Sequence, residues 1–255
     1  SINKGRPYTR NRGVELAKGE FVAVLDADDL AEPERLMYQV EFLEQHKEYS
    51  ALGTSANIID ENGRHVSFRN VLTDCNEIRR QIFHVNPFVH SSIMFRKDAL
   101  IDVGAYDPLY PQAQDYDIFL RLSEHHKMTN ISLPLVKYRV HPNQVSHTSL
   151  VAQRKLADKA RIRAYNLHKK NGSLPDDVLV PDVSFITKLR GKGSTLGMDY
   201  LRWSESYRKL DEHKNANKFL FLAFLSSPLS SRLYNILFFK KLRWYRHKVF
   251  LFFNK

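Results

Sequence analysis

Residues 21–30 read F-V-A-V-L-D-A-D-D-L. Five apolar residues run straight into three carboxylates, Asp26, Asp28 and Asp29. The apolar run predicts a strand over residues 21–25 that is buried on both faces. The carboxylates then fall at its C-terminal end, and open α/β sheets bind ligands in the crevice beyond such ends. Like charges this close repel one another unless a cation or solvent relieves them. Mg²⁺ takes oxygen ligands and joins one or two carboxylates to substrate phosphates. The cluster therefore points to a metal–phosphate site. The competing reading is an acidic turn capping the helix that Pro33 begins.

Outward from this run, apolar spacing alternates between helix and strand. Residues 3–13, N-K-G-R-P-Y-T-R-N-R-G, form a polar stretch whose amides and guanidinium groups suit an anion ahead of a helix. They do not match a P-loop. A short helix is predicted over residues 12–18, stopped by Gly19. After Pro33, Leu36, Val40 and Leu43 repeat at helical spacing, and Met37 and Phe42 widen the apolar face. Residues 51–59 predict a strand closed by a turn at residues 60–63. Residues 74–84 predict a helix, 88–95 a strand, and 96–103 a helix ended by Gly104. A strong amphipathic helix is predicted over 115–125 and a last strand over 133–140. The alternation indicates an α/β domain over residues 1–150.

A length of 255 residues accommodates one large domain, or a domain with an appendage. The single cysteine, Cys75, rules out an intramolecular disulfide. The net charge of +11 is uneven: residues 1–150 carry −3 and residues 151–255 carry +14. The basic part seeks an anionic partner, whereas the main domain has no such bias, which argues against nucleic-acid binding. Residues 151–170 predict a basic helix, 171–181 a linker, and 200–226 one or two helices. The opening residues are polar, without the apolar core of a signal peptide. Residues 219–231 are uncharged but broken by Pro228, too short to span a bilayer. From there to Lys255, aromatics and leucines interleave with lysines and arginines. This composition suits an interfacial helix on anionic lipid, the alternative being packing against the catalytic domain.

Three further stretches carry chemistry. Residues 112–122 place Gln114 and Asp115 at the start of an apolar-faced helix, where Asp115 is either a cap or a general base. Residues 138–147 put His141 just after a strand, as a loop residue, a metal ligand or a phosphate donor. Residues 86–92, N-P-F-V-H-S-S, read as a polar turn into a strand.

In this order, these stretches resemble the family 2 glycosyltransferases, inverting enzymes of the GT-A type. The family's N-x-G-x-x-x-A-R-N-x-G is similar to Asn3, Gly5, Arg10, Asn11 and Gly13, with Thr9 in place of alanine. Its A-x-G-E-(apolar)-x-A-x-L-D-x-D-D resembles Ala17, Gly19, Glu20 and the opening run. Its P-x-R-L resembles residues 33–36, its H-S-(S/T) resembles His90-Ser91-Ser92, its E-D-Y-D helix resembles residues 114–122, and its Y-R-x-H resembles residues 138–141.

The resemblance implies an α/β GT-A core with a Rossmann-like mixed sheet over residues 1–150, followed by a basic, mainly helical C-terminal region over 151–255. It implies a nucleotide-diphospho-sugar donor bound by Asn3, Gly5, Arg10, Asp26 and Asp28. Mg²⁺ or Mn²⁺ would sit at Asp26 and Asp28, with Asp28 the first choice and His141 a further contact; Asp26 instead could hold the ribose or a metal-bound water. Asp115 would be the catalytic base, with His90, Ser91 and Gln114 on the acceptor side. The acceptor would be a glycan or a lipid-linked molecule, and the setting cytoplasmic, at the inner face of the cell membrane through residues 219–255. Two departures stand out. Gln114 replaces the commoner glutamate, and the family's opening strand V-S-V-I-I-P-x-Y-N and later D-D-G-S are not present. An N-terminally truncated catalytic domain lacking its first strands is therefore expected, with a non-catalytic remnant or lipid-binding fragment as the alternative.

Overall fold

The computed structural model describes residues 4–141 and 150–175. The chain divides into one compact unit over residues 1–180 and another over 181–255. The second unit, the helices expected over 200–226 and the lipid-facing tail 219–255 lie outside the described residues.

The first helix, α1 (Arg6–Leu16), begins earlier than residue 12. Pro7 sits in its first turn, where a fixed φ favours helix and the missing N–H costs nothing. Gly5 caps it at φ 85°, and its carbonyl accepts the Thr9 N–H. Arg10 and Asn11 therefore project from a helix instead of lying in a loop ahead of one.

The strand expected over residues 21–25 is shorter and less buried. β1 (Phe21–Ala23) is half-buried and Leu25 is exposed. Among the described residues β1 pairs with one strand alone, β5 (Met94–Arg96), so its other edge has no strand partner among them. After the acidic loop come β2 (Leu30–Ala31), α2 (Arg35–Gln45) and the long β3 (Tyr49–Ile59). A hairpin joins β3 to β4 (His65–Arg69), its turn held by Asp60, whose Oδ1 accepts the N–H groups of Asn62 and Arg64. α3 (Cys75–Gln81) starts at a cap in which Asp74 accepts the Glu77 N–H. Residues 88–95 do not form one strand: a 3-10 turn, His90–Ser92, precedes β5. α4 (Lys97–Asp102), α5 (Gln114–His125), β6 (Lys127–Arg139) and α6 (Leu150–Lys170) complete the described elements.

The sheet order is β1-β5-β3-β6-β2, with β4 also on β3. β3 and β6 run parallel, and the other pairings are antiparallel. Alternation along the strands divides the core into two layers. Ala51 and Phe95, directly opposite each other, join the cluster with Phe119, Leu122, Ala160 and Ala164. The next pair, Leu52 and Met94, packs with Leu43 of α2. Helices α5 and α6 thus cover one face and α2 the other. α6 belongs to this first unit, and the boundary falls at Val180–Pro181, beyond residue 150.

Helix α2 overturns a simple apolar-face reading. Leu36 and Met37 are exposed, while Arg35 and Gln39 are buried at 1% and 0% exposure. Arg35 donates from Nε to Gln39 Oε1 at 2.9 Å and from Nη2 to the carbonyls of Val24 at 2.8 Å and Ile93 at 3.2 Å. Gln39 Nε2 donates to the carbonyls of Leu52 and Ser92 at 2.9 and 2.8 Å. Buried carbonyls need donors, and here two side chains supply them where β1 and β5 part. Burial lowers the Arg35 pKa to about 10, with Asp29 opposing the shift, so the guanidinium stays charged at neutral pH. Replacing Gln39 with leucine keeps the volume but removes the donor to two carbonyls and the acceptor of the buried Arg35 Nε–H. Gln39→Leu is expected to lose about 2–4 kcal/mol in urea unfolding. A loss below about 0.5 kcal/mol would show that the two carbonyls find other partners.

Candidate functional site

β1 delivers the chain into the acidic loop and β2 carries it away. The Asp29 N–H donates to the Asp26 carbonyl at 3.1 Å, a tight turn that gathers three carboxylates. Cationic and polar groups from distant segments meet them.

Arg10 on α1 pairs through Nη2 with Asp26 Oδ1, and His90 Nδ1 lies 3.5 Å from Asp26 Oδ2. The Asp26 N–H donates to Ser91 Oγ at 3.3 Å. Burial pushes the Asp26 carboxyl up, but His90 and Arg10 outweigh it and hold it well below the usual carboxylate range. His90 in turn meets the Tyr106 hydroxyl through Nε2 at 3.2 Å, and the Arg10 guanidinium lies 5.5 Å over the Tyr106 ring. Tyr106 is tied to α1 by a reciprocal pair: Asn11 Nδ2 donates to the Tyr106 carbonyl and the Tyr106 N–H donates to Asn11 Oδ1, both at 2.8 Å.

Asp28 is the exposed member, with 42% of its side chain open and Oδ2 3.5 Å from His141 Nε2. Asp29 is 5% exposed. Its Oδ1 accepts the Arg139 N–H at 2.7 Å, while its Oδ2 is buried without a hydrogen-bond partner. Burial raises the Asp29 pKa to about 6, with the Ser91 hydroxyl and the Arg139 amide opposing and the Asp28 and Asp26 charges adding. The Arg139 guanidinium clamps the carbonyls of Asp28, Asp60 and Glu61 at 2.8, 2.9 and 3.0 Å, joining the loop to the β3–β4 turn.

Asp28 and His141 fit a divalent cation. Adjacent ligands on an octahedral ion with bonds of ~2.1 Å lie about 3 Å apart, so their 3.5 Å separation needs little closure. One or two protein groups suffice for Mg²⁺ when phosphates and waters fill the other positions. No cluster of three or more His, Cys, Asp or Glu side chains able to hold an ion occurs among the described residues. Asp26 has one oxygen on the Arg10 guanidinium and the other facing His90, so its charge is already balanced by Arg10 within the protein.

Asp115 stands in the first turn of α5, half-buried, and its Oδ2 accepts Asn86 Nδ2 at 3.0 Å. The N-cap position of α5 is held by Ala113, which has no capping side chain, and the hydrogen bond of Asp115 goes to Asn86. Gln114 is 3% exposed and its Oε1 lacks a partner. Burial raises the Tyr106 hydroxyl well above the usual phenol range; Arg10 opposes the shift, while Asp115 and Asp26 add to it. The acidic loop and Asp115 therefore share one electrostatic neighbourhood around Tyr106. His90 and fully buried Ser91 bond to the loop. Gly5 caps the helix that presents Arg10, and Asn3 lies outside the described residues.

Three residues in this arrangement were not singled out from sequence. Arg139 and Asn86 lie inside the motifs quoted above, but a lone polar residue has no period to mark it. Tyr106 follows Gly104 and Ala105, both at positive φ, in a turn whose carbonyls 103 and 105 accept from Arg121. Helix-ending glycine is a local signal, but the direction of the next side chain is not.

The sequence model described as "Glycosyl transferase family 2" matches residues 1–104. The chain is 32% identical over 171 residues to an uncharacterized glycosyltransferase of Methanocaldococcus jannaschii, covering 66% of this chain and 58% of that protein. It is 34% identical over 146 residues to the amylovoran biosynthesis glycosyltransferase AmsE of Erwinia amylovora, covering 56% and 54%. It is 27% identical over 146 residues to the O-antigen biosynthesis glycosyltransferase WbnJ of Escherichia coli, covering 56% of each. The chain thus spans a little over half the length of these relatives.

The Asp29 shift has a stability consequence. Its folded pKa of about 6 lies above the ordinary 3.8, so between these values the folded state binds more protons than the unfolded one. Stability contributed by the protonated carboxyl is full below about pH 4 and is lost as pH rises through about 6. Asp29→Asn keeps the acceptor for Arg139 but cannot ionise. In chelator, its stability relative to the parent should improve by on the order of 2 kcal/mol from pH 4 to pH 7. A stability difference that stays constant across that range would contradict the raised pKa.

Proposed function

We propose that the chain, whose residues 1–104 match the sequence model of glycosyl transferase family 2, moves a sugar from a nucleotide-diphospho-sugar donor to an acceptor hydroxyl, with inversion. The observation that carries this reading is a pair of chemically distinct carboxylates, one on the acidic loop and one on α5, with Asp115 and the loop's Asp26 both acting on the Tyr106 hydroxyl. Asp28 is exposed beside His141, and Asp115 is held apart by Asn86.

In this reading Asp115 takes the proton of the acceptor hydroxyl as that oxygen attacks the anomeric carbon. A single displacement through an oxocarbenium-like transition state inverts the configuration. The Arg10 guanidinium, which pairs with Asp26, lies beside the loop and suits the charge that develops on the leaving diphosphate. A divalent cation, Mg²⁺ or Mn²⁺, held by Asp28 and His141 would supply Lewis-acid neutralisation of that diphosphate. Gln114, next to Asp115, has an unpartnered buried oxygen that suits a donor from the acceptor side.

Two of the relatives are named for amylovoran and O-antigen biosynthesis. That supports a glycan or lipid-linked acceptor in cell-surface polysaccharide synthesis. No described helix is long and apolar enough to cross a membrane. We place the protein in the cytoplasm, peripheral on the inner face of the membrane, through the basic, aromatic residues 219–255.

A screen of nucleotide sugars for transfer and hydrolysis with Mn²⁺ tests the activity. Asp115→Asn is expected to lower transfer about 10²–10⁴-fold with donor affinity retained. Asp28→Ala is expected to weaken donor binding at least about tenfold. Unchanged transfer in Asp115→Asn would remove the base assignment. For the membrane reading, the protein is expected to co-sediment with phosphatidylglycerol vesicles and to lose that binding when residues 219–255 are removed. Equal binding with and without those residues would refute it.

A further inference from the structure

Asn86 occupies the turn that leads into the 3-10 turn and β5, and its amide is held at both ends. Its Oδ1 accepts the Phe88 N–H at 3.1 Å, an Asx turn across Pro87. With the oxygen so engaged, Nδ2 is the end that faces Asp115, and it donates to Oδ2 at 3.0 Å. A flip of the amide would lose both bonds. The two backbones are also locked together. Phe88, 1% exposed, packs on Phe119 with ring centroids 4.6 Å apart. Phe119 lies one helical turn beyond Asp115, on the same side of α5.

A carboxylate in the first turn of a helix is drawn to that helix's own unpaired N–H groups. Here the N-cap residue of α5 is Ala113, which has no capping side chain. The bond to Asn86 holds Asp115 Oδ2 away from the helix and leaves Oδ1 for another partner.

We propose that Asn86 is a positioning residue: it fixes the Asp115 carboxylate so that Oδ1 meets the acceptor hydroxyl. This rests on the reading of Asp115 as the general base.

The decisive variant is Asn86→Asp. It keeps the oxygen that accepts the Phe88 N–H, so the turn survives, but it replaces the donor facing Asp115 with a carboxylate oxygen. The expected result is a kcat reduced at least about tenfold with the donor KM within about twofold. Its Tm should fall by ~4 °C, as a hydrogen bond becomes a like-charge contact. Adding Asp115→Asn to Asn86→Asp should recover that Tm, because an amide again faces a carboxylate, while transfer stays absent. Parental turnover in Asn86→Asp, or Tm changes that simply add across the cycle, would overturn the proposal and leave Asn86 as a turn residue. Parental turnover in Asp115→Asn alone would instead sink the base assignment. The Tm cycle reads the contact without any activity, so the two failures are distinguishable.

Discussion

Three carboxylates within four residues must be kept together without driving the loop apart. Two unit charges ~5 Å apart repel by roughly 3 kcal/mol at an effective dielectric of 20. The protein answers with a different solution for each. Asp26 receives Arg10 and His90. Asp28 stays open beside His141. Asp29 is buried against the Arg139 amide, and its pKa rises to about 6. Three acids adjacent along the chain thus become three different chemical groups: a neutralised anchor, an exposed ligand and a carboxyl that takes up a proton readily. The rest of the site depends on this separation, since a phosphate could not approach three unrelieved negative charges.

The layers beneath the loop are tied by polar groups as well as by apolar packing. Arg35 accounts for the Val24 carbonyl just before the loop and for that of Ile93, between the 3-10 turn and β5. Gln39 accounts for Ser92 and Leu52. The same short stretch, residues 90–92, presents His90 and Ser91 to Asp26 above and the Ser92 carbonyl to Gln39 below. A shift in α2 would therefore be felt at the carboxylates. On the other side, Asn11 and Arg10 on adjacent positions of α1 hold the two ends of one device, the Tyr106 backbone and the Asp26 carboxylate.

Much of the architecture was readable where its cause is local. The amphipathic pattern of α5, the glycine that ends α4 and the Asp60–Gly63 turn all depend on residues within a few positions of one another. The expectations that failed depend on distant partners. Residues 21–25 looked doubly buried because apolar composition cannot reveal that β1 has one neighbour among the described residues. Leu36 and Met37 looked like part of the apolar face, because a hydrophobic pattern gives polar residues such as Arg35 and Gln39 no inward role. Backbone carbonyls at the junction of β1 and β5 reversed that assignment. Pro7 carried a legible start signal for α1, which the glycines at 5 and 13 obscured.

The amino-acid sequence by itself determined the acidic loop at the end of an apolar strand, the alternation of helices and strands, and the resemblance to the family 2 glycosyltransferases over residues 1–104. These follow from covalent neighbours and from motif order. The tertiary structure alone decided which cation meets which acid, and which acid is exposed. His90 reaches Asp26 across 64 positions and Arg139 reaches Asp29 across 110. Burial and ion pairing are properties of what surrounds a group in space. Asp26, Asp28 and Asp29 are alike along the chain, and they differ only once α1, the 90–92 turn and the end of β6 have closed around them.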